Sequence, residues 1–232
     1  MKFGIIAAMQ EELSFLLAHL VDKEEHLVLD KTYYTGRLGH HEVVLVQSGV
    51  GKVMSAMSVA ILAETFGVEA IVNTGSAGAV KTGLAVGDVV VADRLAYHDV
   101  DLTAFGYAYG QMSMQPLYFE SEPAFIKTFK AVLAENHLPS HLGLIATGDS
   151  FIAGQDKIAA IKEAFPQVLA VEMEGAAIAQ AAQACQLPFV VVRAMSDTAE
   201  HDANITFDQF IIEAGKKSAQ VLLSFLASDE LA

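Results

Sequence analysis

Short apolar runs alternate along this chain with stretches whose apolar residues recur at helical spacing, and that alternation limits the fold more than any single motif. The runs fall at 3–8, 43–47, 70–73, 89–92, 142–146, 168–171 and 189–194. Each is short and rich in β-branched or aromatic residues, the pattern of a strand covered on both faces. Helical spacing fills 11–20, 53–66, 156–164, 175–185 and 207–226. Strands separated by helices pair in a largely parallel or mixed sheet, so the expectation is an α/β layer fold. Residues 32–46 depart from the alternation and read as two strands around a turn at Gly39, which implies an antiparallel hairpin. No linker, repeat or low-complexity tract divides the 232 residues, and one domain over 1–232 is expected.

Charge and composition exclude several classes. A formal charge of −14 repels a phosphate backbone, so nucleic acid is not an expected partner. No apolar stretch reaches the length of a membrane span. Cys185 is the only cysteine, which rules out an intrachain disulfide and suits a reducing, cytoplasmic setting. Residues 102–119 carry no charge and are broken by Gly106 and Gly110. Such an apolar loop calls for a cover, and a second copy of the chain is the expected one.

Four tempting motifs fail. "GVGK" at 49–52 lacks the glycine and hydroxyl positions of a phosphate loop, where Val46 and Val53 stand, and Met54 breaks a dinucleotide fingerprint. "HEVVL" at 41–45 lacks the second histidine of a zinc protease, and "HDVD" at 98–101 lacks partners for a cation, so no metal is expected. "GDSF" at 148–151 offers Ser150 as an esterase nucleophile, but no histidine follows an aspartate at the spacing such a triad uses.

Carboxylates placed after apolar runs carry the functional signal. Glu12 follows the first run, Glu172 and Glu174 follow "VLAV", and Asp197 follows "FVVVRAM", which also delivers Arg193 and Ser196. Open α/β sheets bind ligands beyond the carboxyl ends of their strands. Any one of these acids could cap a helix or complement its dipole; several aimed at one edge point to a site. The small residues of "NTGSAGAV" (73–80) and the aromatic turn of "TGDSFIAG" (147–154) suit close backbone approach and stacking of a flat heterocycle.

Together "GIIAAMQEE", "SGVGKV", "NTGSAGA", "GDSFIAG", "VEMEGAAIA" and "RAMSD", in order over 4–197, resemble the 5′-methylthioadenosine/S-adenosylhomocysteine nucleosidases, within the wider purine nucleoside phosphorylase superfamily. The resemblance implies a three-layer α/β/α sandwich with a central mixed β-sheet and a homodimer. The implied reaction is hydrolysis of an adenine thionucleoside, without a cofactor. It implies Asp197 as general acid at adenine N7, kept protonated by its dry strand end, and Glu12 as the base for water. Glu174 would hold the ribose, helped by the Met173 backbone. Phe151 and Ile152 would meet adenine, with Ser76 and Gly78 near the sugar. Met9, Val50 and Phe207 would line the alkylthio tail, joined by Leu102 and Phe105 from the neighbouring subunit's 102–119 loop. Glu172, Arg193 and Ser196 complete the implied substrate site.

Departures from the family pattern, at Ala7, Val50, Leu102 and around position 113, fall toward the tail end of the site. Three rivals stand beside this reading: phosphorolysis, cleavage of aminofutalosine and a non-catalytic purine-binding module. Phosphorolysis is disfavoured because the glycine loops hold no arginine and Glu12 would repel an anion.

Overall fold

A computed structural model describes residues 1–198, 203–228 and 231, with the side chains at 140 and 203–209 outside the described set. Strand β1 (Lys2–Ala7) shows how its layers arise. Phe3, Ile5 and Ala7 pack with Leu13 and Leu16 of α1 (Gln10–His19) and with Leu222 and Phe225 of α6 (Ala203–Leu226). Ile6 points the other way, into a core with Val59 and Leu62 of α2 (Lys52–Glu64). Side chains alternate across a strand, so one that is apolar at nearly every position must be covered on both faces.

The remaining elements extend these layers. Strands β2 (Val21–Val28), β3 (Lys31–Leu38) and β4 (His41–Gln47) precede α2, and β5 (Ala70–Ala79), β6 (Val89–Tyr97) and β7 (Phe119–Glu120) follow it. Then come α3 (Pro123–Glu135), β8 (Ser140–Thr147), α4 (Gln155–Ala164), β9 (Val168–Glu172), α5 (Gly175–Ala184) and β10 (Phe189–Asp197). Phe125 and Phe129 of α3 join α1 and α6 on one face, while α5 joins α2 on the other. Helix α4 covers β8 and β9 through Ile158 and Ile161. The expected three-layer arrangement with a mixed sheet is present.

Strand β5 decides where a ligand can go. Its first residues, Ala70–Asn73, pair with β1, while Ile71–Gly78 pair in parallel with β10. At Gly78 and Ala79 it turns to an antiparallel pairing with β9. Because β10 pairs with β6, β6 with β8 and β8 with β9, these five strands close a ring. Strand β1 stays outside, continuing against β4. The sheet therefore splits beyond Asn73, and the carboxyl ends of β1, β9 and β10 face the split.

Strand β5 runs through the glycine-rich 74–79 segment, which was expected to be a loop, because β10 pairs with it along nearly its whole length. Strand β10 likewise reaches Asp197, with a register shift just before it. The hairpin around Gly39 is present, and charged, exposed β2 adds a third antiparallel strand to it. Helix α3 is a further element, with Pro123 at its start behind the Glu122 cap. No helix among the described residues is long and apolar enough to cross a membrane.

Candidate active site

The split encloses a cavity of about 290 Å3. Its walls come from Ala8, Met9 and Glu12 after β1, Ser76–Gly78 of β5, and Val50 ahead of α2. Ser150–Ile152 after β8, Val171–Glu174 and Ser196–Asp197 complete it. Sequence reasoning missed Ala8, Ala77 and Val171 as lining residues and set Ser150 aside as a failed nucleophile. All lie inside quoted motifs, but their side chains offer no chemistry to mark them. Ser150 has no histidine partner among the described residues, so the esterase reading gains no support.

Glu12 is buried and divides its two oxygens between structure and site. Oε2 accepts from the backbone N–H of Ala8 at 2.9 Å and of Met9 at 3.1 Å, closing the first turn of α1. Oε1 accepts from both the N–H and the hydroxyl of Ser76, each at 2.9 Å. The carboxylate that caps α1 thus also borders the cavity. All four partners are donors, which leaves the carboxylate an acceptor on both oxygens.

Arg193 lies beneath the cavity with no exposed surface. Its Nη2 donates to Asn73 Oδ1 at 2.6 Å, to Glu172 Oε2 at 2.5 Å and to Glu174 Oε2 at 3.4 Å. Burial works against its charge, but Glu172, Glu174 and Glu12 outweigh burial and hold the guanidinium protonated. Nη1 and Nε have no hydrogen-bond partner among the described residues. Gly75 is what admits this group: a Cβ there would collide with Arg193 Nη1 and come within 2.7 Å of Glu12 Oε1. Arg193 and Glu12 thus press on the same bare stretch of β5.

Glu172 and Glu174 do different work. Glu172 Oε2 also accepts from the N–H groups of Glu174 at 3.0 Å and Gly175 at 2.7 Å, and Oε1 accepts from Thr147 Oγ1. Its oxygens are thus occupied by the start of α5 and by Arg193, although its chain borders the cavity. Glu174 accepts from the Gly51 N–H at 2.9 Å through Oε1, and among the described residues only the long Arg193 contact meets Oε2. Burial, then the charge of Glu172, push the Glu174 carboxyl up to about 7; Arg193 and the Gly51 N–H pull the other way.

Asp197 is buried at the end of β10, and its Oδ1 accepts from Ser196 Oγ at 2.9 Å. Around the three acids the surface is apolar: Met9, Ile152 and Met173 line the cavity, and Val50 and Phe151 lie at its half-exposed rim. Leu102 and Phe105 do not reach this cavity, and Phe105 is 79% exposed. The Phe207 side chain lies outside the described residues.

A mixed sheet split at a switch in strand pairing, with buried carboxylates around an apolar cavity, defines a small-molecule site of the nucleoside-processing kind. The family model described as the phosphorylase superfamily matches residues 2–227, and the chain belongs to that superfamily. A Listeria monocytogenes protein named 5′-methylthioadenosine/S-adenosylhomocysteine nucleosidase is 44% identical, over 97% of this chain and 99% of its own length. The structure of a Streptococcus pyogenes S-adenosylhomocysteine nucleosidase in complex with 5-methylthiotubericidin superposes with a TM-score of 0.97. It is 72% identical and covers 98% of this chain and 96% of that one. A Streptococcus pneumoniae 5′-methylthioadenosine/S-adenosylhomocysteine nucleosidase with a transition-state inhibitor superposes with a TM-score of 0.96, at 67% identity over 98% of this chain and 99% of that one. Within the superfamily, the chain is a member of the 5′-methylthioadenosine/S-adenosylhomocysteine nucleosidases.

Proposed function

We propose that this chain hydrolyses the N-ribosidic bond of 5′-methylthioadenosine and S-adenosylhomocysteine, releasing adenine and the thioribose. One observation carries the reading: Glu12, Glu174 and Asp197, buried and delivered by three different strand ends, surround one apolar cavity. N-ribosidic cleavage develops positive charge on the sugar and negative charge on the departing base, so it needs an acid at the base and negative charge near the sugar. Asp197 takes the acid role at adenine N7. A carboxyl in a dry setting keeps its proton more readily than one in water, as this role requires.

Glu12 takes a proton from the attacking water. Its Oε1 and the Nη1 of Arg193 press on the same face of Gly75, a geometry that supports a water held between a base and a cationic donor. Glu174 binds the ribose hydroxyls and supports the cationic sugar. The Phe151 ring and the Ile152 backbone receive adenine, and Met9 and Val50 receive the alkylthio tail, which leaves through the half-exposed rim.

The functional unit is a homodimer of single-domain chains, working in the cytoplasm. Support comes from the apolar surface near the rim: Val53 and Met57 project from α2 one turn apart, and Phe105, Met112 and Met114 are exposed on the 102–119 loop. Burying such surface against a second copy would carry Leu102 and Phe105 to the neighbouring cavity.

The decisive assay follows adenine release from methylthioadenosine with and without phosphate. Equal rates are expected. Release that depends on phosphate would replace hydrolysis by phosphorolysis, and tight binding without release would leave a binding module.

A further inference from the structure

Three of the four motifs rejected in the sequence meet in space. Lys52 of "GVGK" places Nζ 2.8 Å from Asp99 Oδ2 of "HDVD" and 3.5 Å from Asp149 Oδ2 of "GDSF". The backbone closes the cluster: Lys52 N–H donates to Asp149 Oδ1 at 2.9 Å, and Asp149 N–H donates to Asp99 Oδ2 at 2.8 Å. Three separate segments, at 49–52, 98–101 and 148–151, are thereby joined beside the cavity.

We infer that Lys52, held by Asp99 and Asp149, is a positioning residue that sets the place of Glu174 and of the Phe151–Ile152 wall, a role that rests on the nucleosidase reading above. Gly51, its immediate neighbour, gives its N–H to Glu174 Oε1. Gly51 adopts a φ of +100°, and a Cβ there would stand 3.1 Å from Asp149 Oδ1, so that the clasp and the Glu174 contact share one corner suited to glycine. On the other side, Phe151 and Ile152 follow Asp149 directly in the chain and line the cavity. Lys52 Nζ also lies 5.4 Å from the centre of the Tyr97 ring, whose hydroxyl donates at 2.6 Å to Gln180 of α5, the helix that begins after Glu174.

The location of Lys52 argues that the clasp is needed for geometry. It is the first residue of α2, where the helix dipole disfavours a cation. The ion pairs are partly solvated, with Lys52 and Asp99 about a quarter exposed and Asp149 about half, so they add little to stability. Both acids also accept from backbone N–H groups of the joined segments, which fixes loop positions.

Lys52→Met, Lys52→Arg and Asp99→Asn, compared on methylthioadenosine across pH with melting curves in parallel, test this role. Lys52→Met should raise KM by about tenfold and lower kcat less, because the walls that receive the substrate lose their register. Its acid limb should move to higher pH: the Gly51 N–H favours ionised Glu174, while Glu172, Arg193 and Glu12, which also face that carboxyl, are unchanged. Lys52→Arg should restore most of both properties. Asp99→Asn, which keeps the Lys52–Asp149 contact, should shift them less and in the same direction, and it decides the matter if Lys52→Met does not fold. Wild-type KM and pH profile in Lys52→Met, or in Asp99→Asn where that variant decides, overturn the positioning role alone. A wild-type protein that releases no adenine overturns the functional reading, and the positioning role with it.

Discussion

Replacing Arg193 by methionine removes a cation that touches both Glu172 and Glu174 while keeping much of the side-chain volume. In the folded protein Nη2 stands 2.5 Å from Glu172 and 3.4 Å from Glu174, with no exposed surface. Breaking a buried pair from one side leaves uncompensated charge and costs about 3–5 kcal/mol. That is a large part of the roughly 5–15 kcal/mol that separates folded from unfolded domains. The sign of the pH dependence follows from Glu174. Its carboxyl is raised from an ordinary 4.5 to about 7, chiefly by burial and then by Glu172. A carboxyl whose folded pKa is raised binds more protons folded than unfolded, so it subtracts stability as pH climbs from its ordinary value through the folded one. Arg193 pulls that value down, so losing it widens the window upward. Urea denaturation of both proteins at pH 5 and pH 8 should show a deficit for Arg193→Met that is larger at pH 8 by about 1–2 kcal/mol. Equal deficits at the two pH values, or no deficit, would refute the claim that the guanidinium holds these carboxylates together.

Asp197→Asn should lower kcat by about 10²–10⁴-fold while a non-hydrolysable nucleoside analogue binds nearly as before in calorimetry; retained turnover would remove Asp197 as the acid. Gly75→Ala drives a Cβ into the Arg193 guanidinium and the Glu12 carboxylate, and should cost about 1–3 kcal/mol in thermal melting together with turnover. A variant as stable and active as wild type would show that these side chains relax freely. Phe105→Asp should yield monomers in sedimentation and a raised KM. A dimer with unchanged KM would sever the 102–119 loop from the neighbouring cavity.

Much of the fold was legible because burial leaves a mark on residue type. Strands β1, β4 and β10 are covered on both faces and read as continuous apolar runs. Strand β2 escaped because it is an exposed edge strand of charged residues, VDKEEHLV, whose partner is set by the β3 hairpin and not by its own pattern. Helix α3 carries legible apolar spacing in Phe125, Phe129 and Leu133. The 74–79 segment reads as a glycine loop in one dimension and is a strand in three, because β10 pairs along it while Gly75 leaves room for Arg193.

For the site, the sequence alone marked the carboxylates that border the cavity. An apolar run that ends in a carboxylate is unusual enough to be seen without a structure, and Glu12, Glu172, Glu174 and Asp197 all stand out that way. Tertiary structure alone decided how they are shared out. Glu172 is drawn into Arg193 and the start of α5, Glu12 splits its oxygens between α1 and Ser76, and Lys52 finds Asp99 and Asp149 across long stretches of chain. The physical reason is that residue type sets what a group can do, while the partners that use up its hydrogen bonds come from strands and loops far away in sequence. The switch of β5 from β1 to β9, which opens the cavity, is a long-range pairing of this sort.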